Sequence, residues 1–320
     1  MFMACFFTLI GFLLLVGGAE CLVLGSVAAA SRLRIPTLIV GLTVVALGTT
    51  LPEFMVSVKS TMNGNAGMAL GNIIGSNIAN ILLVLAVSAL INPIKCKPKV
   101  FYRDFSFLAV TTLFFAFFST RGILPRWNGW VLLLFLFWFI FYNLYNAHHD
   151  SHKGDKIPKQ FVGKNWWVIL LALIVGVVAV AFGTDFLLQG AVAIAKGVGV
   201  SEEIIGVTIL AVATSIPELA TSCVAAYRKQ NDIALGNVIG ANIWNIVFIV
   251  GTIVSMGTVD VSAQFVVFDI WVMLFASFML LPIMMFKNKI IRWEALFMLG
   301  CYMAYLYGLY LISIGEWFMM

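Results

Sequence analysis

The chain has 320 residues, 62% of them hydrophobic and only 10% charged, with a formal net charge of +5. A soluble domain carries about 25% charged residues, so this composition excludes a water-soluble globular protein and implies one that lives in lipid. There the backbone must satisfy itself in helices or a closed barrel, and apolar runs near the ~20 residues of a spanning helix, rather than the ~10-residue alternation of barrel strands, select helices.

Ten spans are predicted, at about 3–28, 36–59, 67–91, 104–120, 127–146, 166–190, 203–227, 232–256, 264–286 and 293–314. The first span lacks a basic region before it, which marks a membrane helix rather than a cleaved signal. Every Lys and Arg falls in or beside a loop, and fifteen of the nineteen fall in odd-numbered loops. The positive-inside rule then places those loops in the cytoplasm and both termini outside a cell (inner or plasma) membrane. Because the basic residues are confined to short loops, the net charge does not suggest nucleic acid. The five cysteines are scattered without metal-type spacing and read as small packing residues.

Spans 2–3 and 7–8 contain one stretch twice. Gly41–Asn80 and Gly206–Asn245 align without a gap at an offset of 165, with identity at 16 of 40 positions. The shared residues are mainly small, polar or acidic: Thr43/Thr208, Thr49/Thr214, Pro52/Pro217, Glu53/Glu218, Asn72/Asn237, Asn77/Asn242 and Asn80/Asn245. Merely hydrophobic segments share Leu and Val by chance, not an acid, a proline and three asparagines in register. The same offset matches Glu20 to Asp185 and Asp104 to Asp269, while Arg126-Trp127 recurs at Arg292-Trp293 one residue out of step. Five spans per half is an odd number, so the second half enters the membrane inverted. The predicted fold class is therefore an all-α membrane protein of ten transmembrane helices in two inverted-topology five-helix repeats. The boundaries are 1–146 for the first repeat, 147–165 for a cytoplasmic linker and 166–320 for the second repeat. Such duplications hold their substrate near the midplane, between the repeats. The linker contains His148, His149 and His152, and an exposed segment rich in His, Lys and Asp reads as solvated rather than metal-binding.

Glu53 and Glu218 carry the sharpest signal. A carboxylate at mid-membrane depth costs roughly 2.5–3.5 kcal/mol on insertion scales, and a symmetry-related pair beside prolines points to a functional site. Pro52 and Pro217 each lack an N–H and crowd the carbonyl four residues back, so the helices are expected to open around Ala46–Thr50 and Ala211–Ser215. The freed carbonyls need protein, water or an ion. Thr49, Thr50, Thr214 and Ser215 place hydroxyls around each break. Asn72, Ser76 and Asn80 share one face of span 3, mirrored by Asn237, Ala241 and Asn245. Gly71/Gly75 and Gly236/Gly240 read as helix-packing pairs, and Asn77 and Asn242 as either ligands or interhelical glue. Glu20 and Asp185 either line an access route or bond a neighbouring helix, whereas Asp104 and Asp269 read as helix-start residues with capping or dipole roles. The set of carboxylates, amides, hydroxyls and carbonyls, without His or Cys, is a hard-oxygen site. It suits Ca²⁺ or Na⁺ and not Zn²⁺ or Cu⁺.

The sequences GTTLPE with GNIIGSN, and ATSIPE with GNVIGAN, resemble the two alpha-repeats of the cation/calcium exchanger superfamily, most nearly its prokaryotic sodium/calcium exchanger branch. The resemblance covers all ten spans. It implies antiport, with four ion sites between spans 2, 3, 7 and 8 and with spans 1 and 6 sliding across that core. It implies Glu53 and Glu218 as central acids, with Thr49, Thr50, Ser76, Asn80, Thr214, Ser215 and Asn245 as further ligands and Ala46 and Ala211 giving backbone oxygens. Four positions depart from patterns within the superfamily. Ala241 stands where members often have Ser, which removes a hydroxyl and bears on the sodium count. Asn245 replaces the Asp of potassium-dependent members, and Gly75 and Gly240 replace the Glu of proton-coupled ones.

Several function classes compete. An enzyme would need a nucleophile paired with a base inside the membrane, and none is present. A channel could use the same oxygens, but inverted repeats with broken helices favour alternating access. The expectation is a Ca²⁺/Na⁺ antiporter, with a proton/divalent-cation (Ca²⁺/H⁺) antiporter as the alternative. Its partners would be the transported ions and the bilayer, with no resident cofactor and a monomer sufficient. Calcium uptake into proteoliposomes, driven in turn by sodium and by pH gradients, separates the two.

Overall fold

The computed structural model describes residues 2–95, 98–149, 165–197 and 213–313. Its helices, in chain order, are α1 (Phe2–Leu33), α2 (Thr37–Met62), α3 (Ala66–Ile91), α4 (Pro98–Ser119), α5 (Arg126–His149), α6 (Trp166–Gly197), α7 (Ile216–Tyr227), α8 (Asn231–Met256), α9 (Phe265–Met285) and α10 (Arg292–Ser313). Among the described residues, nine of these are long and apolar enough to cross a membrane, and α7 is described only from Ile216. The predicted span at 203–227 is therefore described only from residue 213, and the linker at 147–165 lies largely outside the described residues.

The two halves repeat one another's geometry. Helix α3 contains a π-helical turn at Asn80–Leu85, and α8 contains one at Asn245–Val250, at the same offset of 165 as the sequence repeat. Each π turn inserts one residue into the helix, turning the following side chains relative to those before it. The tight turns after α2 and α7 also match, with Gly64 at φ +82° and Lys229 at φ +59° in the left-handed region. Four two-residue strands were not foreseen. Of these, β1 (Ile94–Lys95) pairs antiparallel with β4 (Lys289–Ile290), and β2 (Ile123–Leu124) with β3 (Val259–Asp260), so each short ribbon joins one half to the other. The recurring Arg-Trp pairs gain a reason here. Arg126 donates to Ser255 O and Met256 O at the end of α8, and Arg292 donates to Leu90 O at the end of α3. A cation there meets the negative end of the helix dipole.

Helices α3 and α8 form the centre and are buried over most of their length, while α1 and α6 are largely exposed. The last two pack antiparallel along a seam of glycines spaced seven apart, Gly11 and Gly18 against Gly183 and Gly176, with Gly190 against Ala4. A Cβ built on Gly18 would lie 2.8 Å from Val180 N and 2.9 Å from Gly176 O. The neighbouring Gly17 would meet nothing within 4 Å. Gly18→Ala is therefore expected to destabilise the detergent-purified protein by about 1–3 kcal/mol, an overpacking cost. Gly17→Ala should leave the thermal midpoint unchanged, and equal midpoints for the two variants would show that the seam does not constrain this pair.

Candidate functional site

Pro52 lies inside a continuous helical stretch, Ala46–Met62, so the opening expected at Ala46–Thr50 is not a break. The irregularity falls one turn earlier, as a π turn at Gly41–Val45. The carbonyl of Ala46 is taken by two hydroxyls, Thr49 at 3.2 Å and Thr50 at 2.7 Å, which stitch the turn before the proline. In the second half the expected opening is present. Thr214 and Ser215 form a turn, α7 starts at Ile216, and Pro217 sits in its first turn, where a missing N–H costs nothing. Ala211 lies outside the described residues.

Glu53 on α2 and Glu218 on α7 are both fully buried and close enough to interact directly. Glu218 Oε1 accepts from Thr50 Oγ1 at 3.5 Å. The remaining carboxylate oxygens, Glu53 Oε1 and Oε2 and Glu218 Oε2, have no hydrogen-bond partner among the described residues. The same holds for Asn80 Oδ1, Asn245 Oδ1 and Ser215 Oγ, all of them buried. Six of the thirteen unpartnered buried side-chain polar atoms among the described residues thus belong to the expected ligand set. Leaving a buried polar group unpaired costs about 1–3 kcal/mol, more when it is charged, so such a cluster is built to meet something positive.

The asparagines are held by a reciprocal clamp. Asn80 Nδ2 donates to Asn242 Oδ1 and Asn245 Nδ2 to Asn77 Oδ1, each at 3.0 Å. Asn242 Nδ2 donates to Asn77 O at 3.1 Å. Asn77 and Asn242 thus act as the glue between α3 and α8. They use up an N–H on Asn80 and Asn245 and leave those residues' oxygens free. Asn72 and Asn237 also serve structure, donating to Ser57 Oγ at 3.3 Å and Ser222 Oγ at 2.9 Å. The identity of Ser57 and Ser222 in the repeat was the available signal for these two positioning hydroxyls. Thr221 was missed as well. It is buried with an unpartnered hydroxyl one turn beyond Glu218, a spacing that puts it on the same helix face.

The halves differ where Ser is replaced by Ala. Ser76 Oγ and Thr214 Oγ1 hydrogen-bond to each other at 3.1 Å, beside a cavity of about 370 Å³. The matching position to Ser76 is Ala241, and the matching Thr49 turns its hydroxyl to Asn237 Oδ1 at 3.1 Å instead. The packing role expected of the glycines holds for Gly236 and Gly240, whose added Cβ atoms would lie 2.8 Å from Leu38 O and 2.6 Å from Leu42 O, but not for Gly75, where an added Cβ would meet nothing within 4 Å.

The other acids separate from this cluster. Asp104 and Asp269 are not helix-start residues, because α4 begins at Pro98, earlier than expected, and α9 begins at Phe265, as expected, a turn ahead of Asp269. Both are buried instead, Asp104 paired with Arg103 at 2.8 Å and Asp269 accepting from Tyr305 at 2.7 Å and Gln264 at 3.3 Å. Glu20 bonds a neighbouring element, Arg228, while Asp185 is exposed on α6.

Comparison with known proteins bears on this geometry. Residues 3–145 and 168–311 match the family described as sodium/calcium exchanger protein. The chain is 35% identical to "Putative antiporter CaxA" of Alkalimonas amylolytica, across 97% of this chain and 99% of that one. It is 28% identical to the sodium/calcium exchanger MaX1 of Methanosarcina acetivorans, across 95% and 97%. The solved sodium/calcium exchanger of Methanococcus jannaschii superposes with a TM-score of 0.82 at 29% identity, covering 95% of this chain and 98% of that one. The matches run along nearly the whole length, and the chain belongs to the sodium/calcium exchanger family, a family of membrane transporters.

Proposed function

We propose that this protein is a secondary active antiporter that exchanges Ca²⁺ for Na⁺ by alternating access, built as ten membrane helices in two inverted repeats of five. The observation that carries the reading is that six buried oxygens of Glu53, Glu218, Asn80, Asn245 and Ser215 find no hydrogen-bond partner among the described residues. Calcium takes six to eight oxygen ligands, and one Ca²⁺ neutralises two carboxylates. Thr49, Thr50, Ser76 and Thr214 supply hydroxyls around the same pair. Helices α1 and α6, joined along their glycine seam, then slide as one unit across the core. The names of the relatives support sodium as the counter-ion, as does glycine rather than glutamate at positions 75 and 240.

The test is calcium uptake by purified protein in liposomes, driven separately by an outward sodium gradient and by a pH gradient. Sodium-driven uptake supports the reading. Uptake driven only by the pH gradient would replace sodium by the proton. A sharper expectation concerns Ala241. Ala241→Ser restores the hydroxyl that Ser76 provides in the other half and frees Thr49 from Asn237. The sodium concentration for half-maximal calcium release should fall by about two- to fivefold, the worth of one neutral ligand. An unchanged sodium dependence would place position 241 away from the ions.

A further inference from the structure

Helices α1 and α6 meet α7 through small apolar side chains. Leu15 and Ala19 of α1 and Val180 of α6 pack against Ile216, Ala220 and Val224. Contacts of this kind are non-directional, and a helix can shift along them without losing one specific partner. One contact between the same bodies is different. Arg228, the residue that ends α7, donates from Nε to Glu20 Oε2 at 3.1 Å and from its second nitrogen to Glu20 Oε1. This is a fork-to-fork pair, fixed in both distance and direction. Glu20 and Arg32 are the only charged residues of α1, so Glu20 is an isolated acid on an otherwise apolar stretch.

The other half lacks this contact. The residue matching Glu20 is Asp185, and the residue matching Arg228 is Asn63, an amide. Asp185 and Lys59, the cation in the last turn of α2, take part in no ion pair with each other. The described state is therefore tied at one end of the molecule and untied at the other. A slide of α1 by one helical turn, about 5.4 Å, carries Glu20 out of reach of the guanidinium fork.

We propose that Glu20 and Arg228 form a one-sided latch between the sliding helix pair and the helix that bears Glu218, which favours this end state over its opposite. Glu20 and Arg228 are positioning residues that touch no ion. The latch rests on the alternating-access reading, since a latch has meaning only where the pair moves.

A bias between end states alters apparent affinity on the two membrane faces in opposite directions, because each face binds ions only in the state open to it. A merely structural defect lowers rate on both faces alike. The experiment measures half-saturating calcium on each face, in right-side-out and inside-out vesicles, for wild type, Arg228→Asn, Glu20→Gln and the charge-reversed double variant Glu20→Arg/Arg228→Glu. Each single variant is expected to change the ratio of the two values by about two- to fivefold, the range for one partly exposed ion pair. The reversed pair should bring the ratio back toward wild type. An unchanged ratio in both single variants overturns the latch, as does a double variant that exchanges calcium yet fails to recover. If a double variant does not fold, the ratio in the two single variants decides alone. Wild-type protein that exchanges no calcium at all would instead sink the antiport reading, and the latch with it.

Discussion

Glu53→Gln and Glu218→Gln are each expected to abolish calcium exchange while the protein still inserts and folds. Each substitution keeps the shape of the side chain and removes one of the two charges that a Ca²⁺ would cancel. The remaining carboxylate leaves a bound Ca²⁺ with one positive charge unmatched in a buried site. Breaking a buried charge pairing costs about 3–5 kcal/mol, so affinity should fall by more than a hundredfold. The ion-free protein should be no less stable, since both acids are fully buried and neither Glu53 oxygen has a hydrogen-bond partner among the described residues. Thermal unfolding with and without calcium separates the two effects. Wild type is expected to gain stability from calcium and the variants to gain none. Exchange at the wild-type rate by either variant would remove the two-carboxylate site.

A second large effect concerns the return of the empty carrier. Preloaded vesicles are expected to hold their calcium in sodium-free, calcium-free medium at alkaline pH and to release it when sodium or calcium is added outside. Without an ion, the two carboxylates would cross a low-dielectric barrier uncompensated. The effective penalty is several kcal/mol for each unpaired ion, and each 1.4 kcal/mol slows a step about tenfold. Two Na⁺ neutralise the pair as one Ca²⁺ does, and a third would make the loaded carrier positive and its movement voltage-sensitive. Protons also neutralise the pair, which is why the test is set at alkaline pH and why some exchange should survive at low pH without sodium. Rapid release into the empty medium would mean that charge compensation does not gate the return step.

Much of the site was legible because its chemistry is local in sequence and written twice. Pro-Glu and the asparagine stripe survive duplication as residue identities, and aligning the copies needs no knowledge of packing. The π turns at Asn80 and Asn245 were not legible, since inserting one residue into a helix leaves an apolar run equally apolar. The carbonyl of Ala46 was expected to be free, but its fate depends on the rotamers of Thr49 and Thr50, which composition does not encode. Asp104 was misplaced because α4 begins before the apolar pattern suggests, at Pro98, and Asp269 because it lies a turn inside α9, whose start at Phe265 was read correctly. Whether Asn77 and Asn242 face ions or each other's helix is a question of rotation, and only the assembled helices answer it.

The reciprocal clamp of four asparagines makes these positions epistatic. Asn245 donates to Asn77 and Asn80 to Asn242, and Asn242 in turn donates to the Asn77 backbone. An aspartate at 245 removes the donor and sets a carboxylate oxygen against Asn77 Oδ1, two acceptors where one hydrogen bond had been. Relief requires the amide of Asn77 to turn over and present its NH₂ group. A change of ion selectivity at 245 is thus a change in orientation at 77 as well, and the acidic variant becomes accessible to a lineage only where the neighbouring amide is free to turn.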